Sequence, residues 1–200
     1  MMIGICEAIS QIQPAQVIYI SSDAVYADSM EALNEASSAE PDSMHGLMHL
    51  TREVMLREAV EGTLAILRPT LIYGTADPHN GYGPNSFRRL ATAGEDIILF
   101  GEGEEQRDHV LIDDVAELIR LIAWHKSGGI LNAATGTVTS FKEIAEMVAA
   151  RFNTTTAIKG SLRNGGMPHN GYRSFNPAAT KAAFPNFDYK NLSVGLEEIV

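Results

Sequence analysis

The sequence has one cysteine, few basic residues and no long apolar run, and each shortage excludes a class of protein. A single cysteine, Cys6, rules out an internal disulfide, so a reducing cytoplasm is the simplest location. The 15 basic against 25 acidic residues give a net charge of -10, which disfavours binding to nucleic acid or to an acidic membrane. The first residues lack a basic stretch and reach Glu7 early, so neither a signal peptide nor a membrane span is expected.

The composition fits a folded globular protein. The chain has 200 residues, and 45% of them are hydrophobic, which is enough to bury a sizeable core. This length suits one compact domain, or one domain with a small appendage. The acidic balance does not exclude an anionic small molecule, because a few neighbouring arginines can hold a phosphate on an acidic protein.

Helix and strand patterns alternate along the chain. Helices are predicted at 2–12, 44–60, 86–93, 113–126, 141–152, 177–183 and 193–200. Strands are predicted at 16–21, 63–67, 97–100, 109–112, 130–133 and 155–159. Residues 27–43, 75–86 and 160–172 are predicted loops, and 101–107 a charged turn. This alternation predicts an α/β fold with a parallel sheet and crossover helices.

Two of the predicted helices begin with capping signals. Asp113 or Asp114 is predicted to N-cap the helix that ends near residue 126, because a carboxylate there can accept hydrogen bonds from free amides. Ser140, with Glu143 three positions later, forms the pattern of a capping box.

Polar side chains follow the first predicted strand. Ser21, Ser22 and Asp23 come directly after the buried run 17–20, as in α/β enzymes that present polar groups at the carboxyl end of a strand. His45 and His49 lie at the start of the next predicted helix, and their spacing places them on one helix face.

Three interpretations of these two histidines are open. Imidazole moves protons near neutral pH, so the pair can serve as an acid–base catalyst. Histidines at i and i+4 can also share a metal ion, but a zinc site needs a third ligand, and Gly46 stands where a His-Glu-x-x-His motif has its glutamate. In the third interpretation they are two ordinary polar residues in a cleft, and we assign no metal site.

These segments together resemble the extended short-chain dehydrogenase/reductase family, the NAD-dependent nucleotide-sugar epimerases and dehydratases. The resemblance is carried by VIYISSDAVY at 17–26, ILRPTLIYG at 66–74, FGEGEEQRDHV at 100–110 and LNAATG at 131–136. It covers nearly the whole chain, residues 2–190. The fold that it implies is a partial Rossmann-like parallel sheet with a small C-terminal α/β substrate-binding part.

The resemblance also implies a role for individual residues. Ser22 matches the hydroxyl that binds the reacting sugar oxygen, while His45 and His49 stand at the positions of the family's Tyr and Lys. Gly46 matches the family's glycine and Glu53 an acid that often follows. The residues implied to lie against the cofactor are Ser21, Pro69, Thr70 and Leu71. The residues implied to contact the nucleotide sugar are Asp23, Asn85, Arg88, Arg107 and Arg173, with Arg107 on the diphosphate and oriented by Asp108.

The sequence differs from the family pattern in two places. It contains no Tyr-x-x-x-Lys, and no Gly-rich dinucleotide-binding loop precedes residue 17. The resemblance therefore implies a protein that acts on or binds a nucleotide sugar with NAD or NADP, and whose activity is impaired or absent in this chain alone. We expect these residues alone not to bind the cofactor tightly. The alternative is a non-catalytic nucleotide-sugar-binding or regulatory pseudoenzyme that pairs with another chain.

The family comparison divides the chain into two parts. Residues 1–74 match the C-terminal half of a Rossmann-like domain, and residues 75–200 are mainly substrate-binding, with a sheet-completing segment near 108–134. The strand at 16–21 is then expected at an open sheet edge, which is prone to pair with other chains. We therefore expect a homo-oligomer, or pairing with another chain, through this edge.

Overall fold

Helices and mostly parallel strand pairs make up the fold, as the alternating pattern predicts. A computed structural model of the chain describes residues 2–152 and 156–199. The helices are α1 (Met2–Ile12), α2 (Met44–Ala59), α3 (Pro84–Ala93), α4 (Ile112–His125), α5 (Phe141–Ala149), α6 (Ala178–Ala183) and α7 (Leu192–Glu198). The strands are β1 (Gln16–Ile20), β2 (Thr63–Pro69), β3 (Leu71–Tyr73), β4 (Ile97–Phe100), β5 (Gln106–Leu111), β6 (Gly129–Ala133), β7 (Val138–Ser140), β8 (Ile158–Ser161) and β9 (Tyr172–Arg173).

Three parallel strands form a sheet of order β1-β2-β6. In register, Ile20 lies opposite Leu67, and Leu67 lies opposite Leu131. The buried face of this sheet packs on α4 through Val115 and Leu118. Because the three strands are parallel, their carboxyl ends share one edge of the sheet, and the segments that follow them converge there.

A second set of strands continues from that edge. β5 lies between β3 and β7 and also pairs with β9, while β4 pairs with β8. A second core holds these strands against α3 and α5, with Phe87, Phe141 and Ile144 fully or almost fully buried. The fold is therefore the expected α/β class, with a parallel sheet followed by a smaller α/β part.

β1 is an edge strand. Within residues 2–152 and 156–199 it pairs with β2 alone. The expected open edge is therefore present in the fold. No helix in these ranges is long and apolar enough to cross a membrane.

The capping predictions had different outcomes. The capping box is confirmed: Ser140 Oγ accepts from the Glu143 amide at 3.2 Å, and Glu143 Oε2 accepts from the Ser140 amide at 2.8 Å. The N-cap at Asp113 or Asp114 is wrong. α4 follows β5 without a break, its N-cap is Leu111, and both aspartates lie in its first turn.

Short elements account for the other differences. Residues 106 and 107 belong to β5 rather than to the predicted turn, because they pair with β7 and β9. β3, β7 and β9 were not predicted, since two or three residues carry no measurable alternation. The helix predicted at 141–152 ends at Ala149, and the strand predicted at 155–159 occupies Ile158–Ser161. Residues 155 and 200 of the predicted elements lie outside the described ranges.

Candidate functional site

The segment after β1 forms one wall of the candidate site. β1 ends at Ile20, and the Ser21 amide still donates to the Leu67 carbonyl at 2.7 Å. Ser22 then N-caps a 3-10 turn, where its Oγ accepts from the Ala24 amide at 3.1 Å. The Ser22 side chain is half-buried, so its hydroxyl lies at the surface of the sheet edge.

The first turn of α2 packs directly on that wall. Ser43 N-caps α2 by accepting from the Gly46 amide at 3.1 Å. Gly46 is buried, and a Cβ at this position would lie 2.0 Å from the Ala24 carbonyl oxygen. Because only glycine permits this approach, the helix start that carries His45 is held beside the turn that carries Ser22.

His45 and His49 lie together on α2. Their ring centroids are 4.7 Å apart in an edge-to-face arrangement. His45 is exposed and His49 is half-buried. Burial lowers the pKa of His49, and the nearby charges of His45 and Arg52 lower it further. Within the described residues, no group of three or more His, Cys, Asp or Glu side chains could hold a metal ion.

One turn further along α2, Glu53 forms a buried ion pair. Glu53 is fully buried, and Arg68 at the end of β2 is 2% exposed. Arg68 Nε donates to Glu53 Oε1 at 2.9 Å and Nη2 to Oε2 at 2.5 Å. Ser21 Oγ donates to the same carboxylate at 2.6 Å. The Ser21 hydroxyl is thus committed to Glu53, and α2 is tied to both β1 and β2.

The segment after β2 reaches the same sheet edge. Thr70 is buried, and its Oγ1 donates to Asp108 Oδ1 at 3.2 Å. Asp108 also accepts from the Thr135 amide at 3.0 Å and the Gly136 amide at 2.7 Å. Burial raises the pKa of Asp108, and these hydrogen bonds oppose the rise. Asp108 therefore joins the segments after β2 and β6, and the expectation that it orients Arg107 is wrong.

Arg107 instead pairs with a neighbouring carboxylate. Its Nη1 donates to Glu105 Oε1 at 3.1 Å, and both residues are buried. Arg163, from the loop after β8, approaches the other oxygen of Glu105 at 3.8 Å. Two guanidinium groups thus share one carboxylate. Sequence reasoning missed Arg163 and Glu105, because the contact spans two loops with no common motif.

Arg173 joins the C-terminal part to the wall after β1. On adjacent strands it lies opposite Arg107. Its Nε donates to Asp23 Oδ2 at 3.0 Å, and its Nη1 donates to Asp28 Oδ1 at 3.1 Å. Arg173 is only 1% exposed, so its guanidinium is occupied by protein partners. The structure thus links Ser22, through its neighbour Asp23, to Arg173 and the strand of Arg107.

Asn85 and Arg88 hold the loop after β3. Asn85 is buried; its Oδ1 accepts from the Gly74 amide at 2.9 Å. Arg88 Nη2 donates to the Thr75 carbonyl at 3.2 Å. Both side chains therefore have backbone partners of their own.

A comparison with protein-family models identifies the family of this chain. The model of the family described as "NAD dependent epimerase/dehydratase family" matches residues 1–134. The chain belongs to the NAD-dependent epimerase/dehydratase family.

Solved structures share the fold of this family member. A UDP-N-acetylglucosamine 4-epimerase from Methanobrevibacter ruminantium M1, in complex with UDP-N-acetylmuramic acid, matches with a TM-score of 0.87 at 19% identity, over 99% of this chain and 66% of that chain. A UDP-glucuronic acid 4-epimerase from Bacillus cereus, in complex with UDP-glucuronic acid and NAD, matches with a TM-score of 0.86 at 20% identity, over 98% and 63%. The chain thus spans slightly less than two thirds of these proteins.

Family membership raises the question of which groups stand near His45 and His49, which occupy the positions of the family's Tyr and Lys. In this epimerase/dehydratase family member, one face of α2 presents His45, His49 and Glu53 at intervals of about one helical turn. None of these three residues is a tyrosine. A tyrosine does approach the pair, but from β1, where the Tyr19 hydroxyl lies 3.0 Å from His49 Nδ1. Sequence reasoning missed Tyr19, because a tyrosine in a strand ordinarily indicates packing.

Proposed function

We propose that the protein binds a nucleotide sugar at the edge where β1 and β2 end, and takes part in the NAD-dependent oxidation of a sugar hydroxyl. The observation that carries this proposal is the packing of Gly46 on Ala24, which holds His45 beside Ser22. Nucleotide sugars bound to proteins of the same fold support the substrate class. Which sugar is bound, and whether epimerisation, dehydration or reduction follows, depends on the loops at 75–88 and 160–173.

In this proposal Ser22 holds the reacting hydroxyl and His45 accepts its proton. Ser22 Oγ accepts from the Ala24 amide at 3.1 Å and donates to Asp23 Oδ1 at 3.5 Å, a long hydrogen bond in which a sugar oxygen can replace the carboxylate as acceptor. The exposed imidazole of His45 can reach a ligand at the helix start, and proton transfer by a positioned imidazole is an ordinary form of general base catalysis. The ring of His49 packs edge-to-face on that of His45, and the family resemblance implies that His49 lies on the nicotinamide side.

The segments after β1 and β2 fit the nicotinamide end of a dinucleotide. The hydroxyls of Ser21 and Thr70 are bound to Glu53 and Asp108, so these two residues, with Pro69 and Leu71, offer a firm wall and backbone groups. NAD, when bound, would accept the hydride from the sugar carbon. The sequence contains no Gly-rich turn to hold the pyrophosphate, and these residues do not distinguish NAD from NADP.

Arg107 is proposed to hold the diphosphate, and its loss should weaken binding selectively. Replacing Arg107 by alanine is expected to reduce the affinity for UDP-glucose or UDP-glucuronic acid by roughly 10- to 100-fold, since charge-assisted hydrogen bonds contribute about 1.5–3 kcal/mol. Isothermal titration calorimetry measures this. Arg120→Ala is the control, because Arg120 forms an exposed pair with Glu117 on α4. Failure of the unaltered protein to bind either compound, or equal losses in both variants, contradicts the proposal.

His45 distinguishes an enzyme from a binding protein. With NAD and a nucleotide sugar present, His45→Ala is expected to lower turnover by about 100-fold or more and to remove the pH dependence of the rate. The matched variant is His125→Ala, at an exposed position of α4. Retained affinity with no turnover by any variant at any pH supports instead the alternative function, a non-catalytic nucleotide-sugar-binding or regulatory protein.

The unpaired edge of β1 is proposed to face a second copy of the chain. α1, which precedes this strand, buries none of its residues, and Ile3 and Ile12 are 67% and 75% exposed. Such apolar exposure next to an open sheet edge is costly in a monomer. Analytical ultracentrifugation is expected to show a dimer or larger oligomer. A monodisperse monomer that is also thermally stable counts against this assignment.

A further inference from the structure

A row of polar side chains lies between β1 and α2, beneath His45. Tyr19 projects from β1 on the same strand face as Ser21, because side chains alternate along a strand. Ser21 binds Glu53 of α2, and Tyr19 meets His49 of the same helix, with the Tyr19 hydroxyl 3.0 Å from His49 Nδ1. The charge of Arg52, the residue before Glu53 on α2, also acts on the Tyr19 phenol. The role proposed above for His45 uses none of these contacts.

The chemistry of the donors sets the direction of the Tyr19–His49 hydrogen bond. The positive charge of Arg52 favours the phenol oxygen of Tyr19, and not the phenol hydrogen, on its side. Burial raises the pKa of Tyr19, and Arg52 only partly opposes this, so the phenol keeps its proton at neutral pH. The acceptor within reach of that proton is His49 Nδ1, 3.0 Å from the phenol oxygen. His49 is then a neutral ring whose hydrogen is on Nε2.

The other groups around His49 favour the same state. From α2, the charges of His45 and Arg52 oppose protonation of His49, while Glu53 favours it. From β1, the Tyr19 hydroxyl lies 3.0 Å from His49 Nδ1, and from α1 the Cys6 thiol donates to the Met55 carbonyl of α2. Burial is the largest single effect and also favours the neutral ring. Since the two imidazoles lie 4.7 Å apart, a positive charge on His45 disfavours a second one on His49.

We propose that Tyr19 and Arg52 are positioning residues that hold His49 as a neutral ring with Nδ1 as acceptor, so that a proton entering the histidine pair is held on His45 alone. The catalytic meaning of this inference rests on the function proposed above. In the oxidation step the hydroxyl O–H bond breaks, its proton goes to His45, and the O–H electron pair forms the carbonyl as the sugar C–H bond breaks; NAD, when bound, would take up that hydride and become NADH. No proton passes to His49 or Tyr19.

Nitrogen-15 NMR of the histidine side chains tests the inference directly. His45→Gln and His49→Gln identify the two rings among the six histidines. In the unaltered protein at neutral pH, His49 is expected to show an unprotonated Nδ1 and a protonated Nε2. In Tyr19→Phe, which keeps the aromatic ring, His49 is expected to become a mixture of tautomers, and its titration midpoint to rise by about half a pH unit or more.

Two further variants keep the test decisive. Tyr189→Phe removes another half-buried phenol hydroxyl, which hydrogen-bonds the Ala134 amide and the Thr180 hydroxyl, and is expected to leave the His49 signals unchanged. Arg52→Gln is expected to mix the His49 tautomers as Tyr19→Phe does, and it serves if Tyr19→Phe fails to fold. A protonated Nδ1 on His49 in the unaltered protein, or an unchanged tautomer in both Tyr19→Phe and Arg52→Gln, overturns the inference.

Turnover separates this inference from the proposed function. Where NAD and a nucleotide sugar support a rate, Tyr19→Phe is expected to lower kcat by about tenfold and leave KM unchanged, because it alters the proton acceptor and not the sugar contacts. A protein that binds no nucleotide sugar defeats the proposed function, yet the NMR tautomers still decide the role of Tyr19.

Discussion

Replacing Glu53 by alanine is expected to lower the free energy of unfolding by about 3–5 kcal/mol, because the change leaves a buried guanidinium without its counter-ion. Glu53 is fully buried and accepts from Arg68 through both carboxylate oxygens, as well as from Ser21. Arg68 in turn stacks over the ring of Tyr26, 4.8 Å from its centroid.

Urea denaturation measures this loss against a control on the same helix. Glu58→Ala removes an exposed carboxylate of α2 and is expected to change stability by no more than about 0.5 kcal/mol. Replacing both members of the pair, Glu53→Leu with Arg68→Met, should recover part of the loss, since apolar side chains can substitute for a buried ion pair. A loss below about 1 kcal/mol for Glu53→Ala would show that the pair does not hold this junction together.

Replacing Gly46 by alanine is expected to destabilise the protein by at least about 2 kcal/mol and to abolish nucleotide-sugar binding. The added methyl would lie 2.0 Å from the Ala24 carbonyl oxygen and 2.8 Å from Pro41 Cβ. The backbone oxygen cannot rotate away as a side chain could, so the first turn of α2 must move off the turn after β1. That movement separates His45 from Ser22.

Gly4 provides the matched substitution. It is also helical, in α1, but a Cβ there would meet nothing within 4 Å. Gly4→Ala is expected to stabilise the protein by up to about 1 kcal/mol, because alanine is the better helix former. Thermal unfolding and calorimetry with UDP-glucose check both variants. A Gly46→Ala protein with unchanged stability and affinity contradicts the proposed packing.

Local capping signals predicted the start of one helix correctly and the start of another wrongly. The capping box at Ser140 needs only Glu143, three residues away, and it forms as predicted. The aspartate N-cap of α4 is wrong, although the local signal was of the same kind. There β5 continues into the helix, and the Lys190 amide, from a distant segment, donates to Asp114 at 2.8 Å.

The candidate site shows the same division. A hydroxyl and a carboxylate after an apolar strand, followed by two histidines at helical spacing, were readable because alternation and helical periodicity are properties of neighbouring residues. The sequence placed Ser21 on the cofactor side, but it did not predict that the Ser21 hydroxyl donates to Glu53. Likewise, Arg173 was readable as an arginine near the end of a loop, but its engagement by Asp23 and Asp28 was not.

By itself the sequence determined the α/β class, the parallel sheet, the family and the residue types at the sheet edge. The tertiary structure decided which of those side chains are already occupied. Arg173 meets Asp23 across 150 residues of chain, and Tyr19 meets His49 across 30. Such pairings depend on the distance between segments that are far apart in the chain. The pattern of residues within one segment gives no information on that distance.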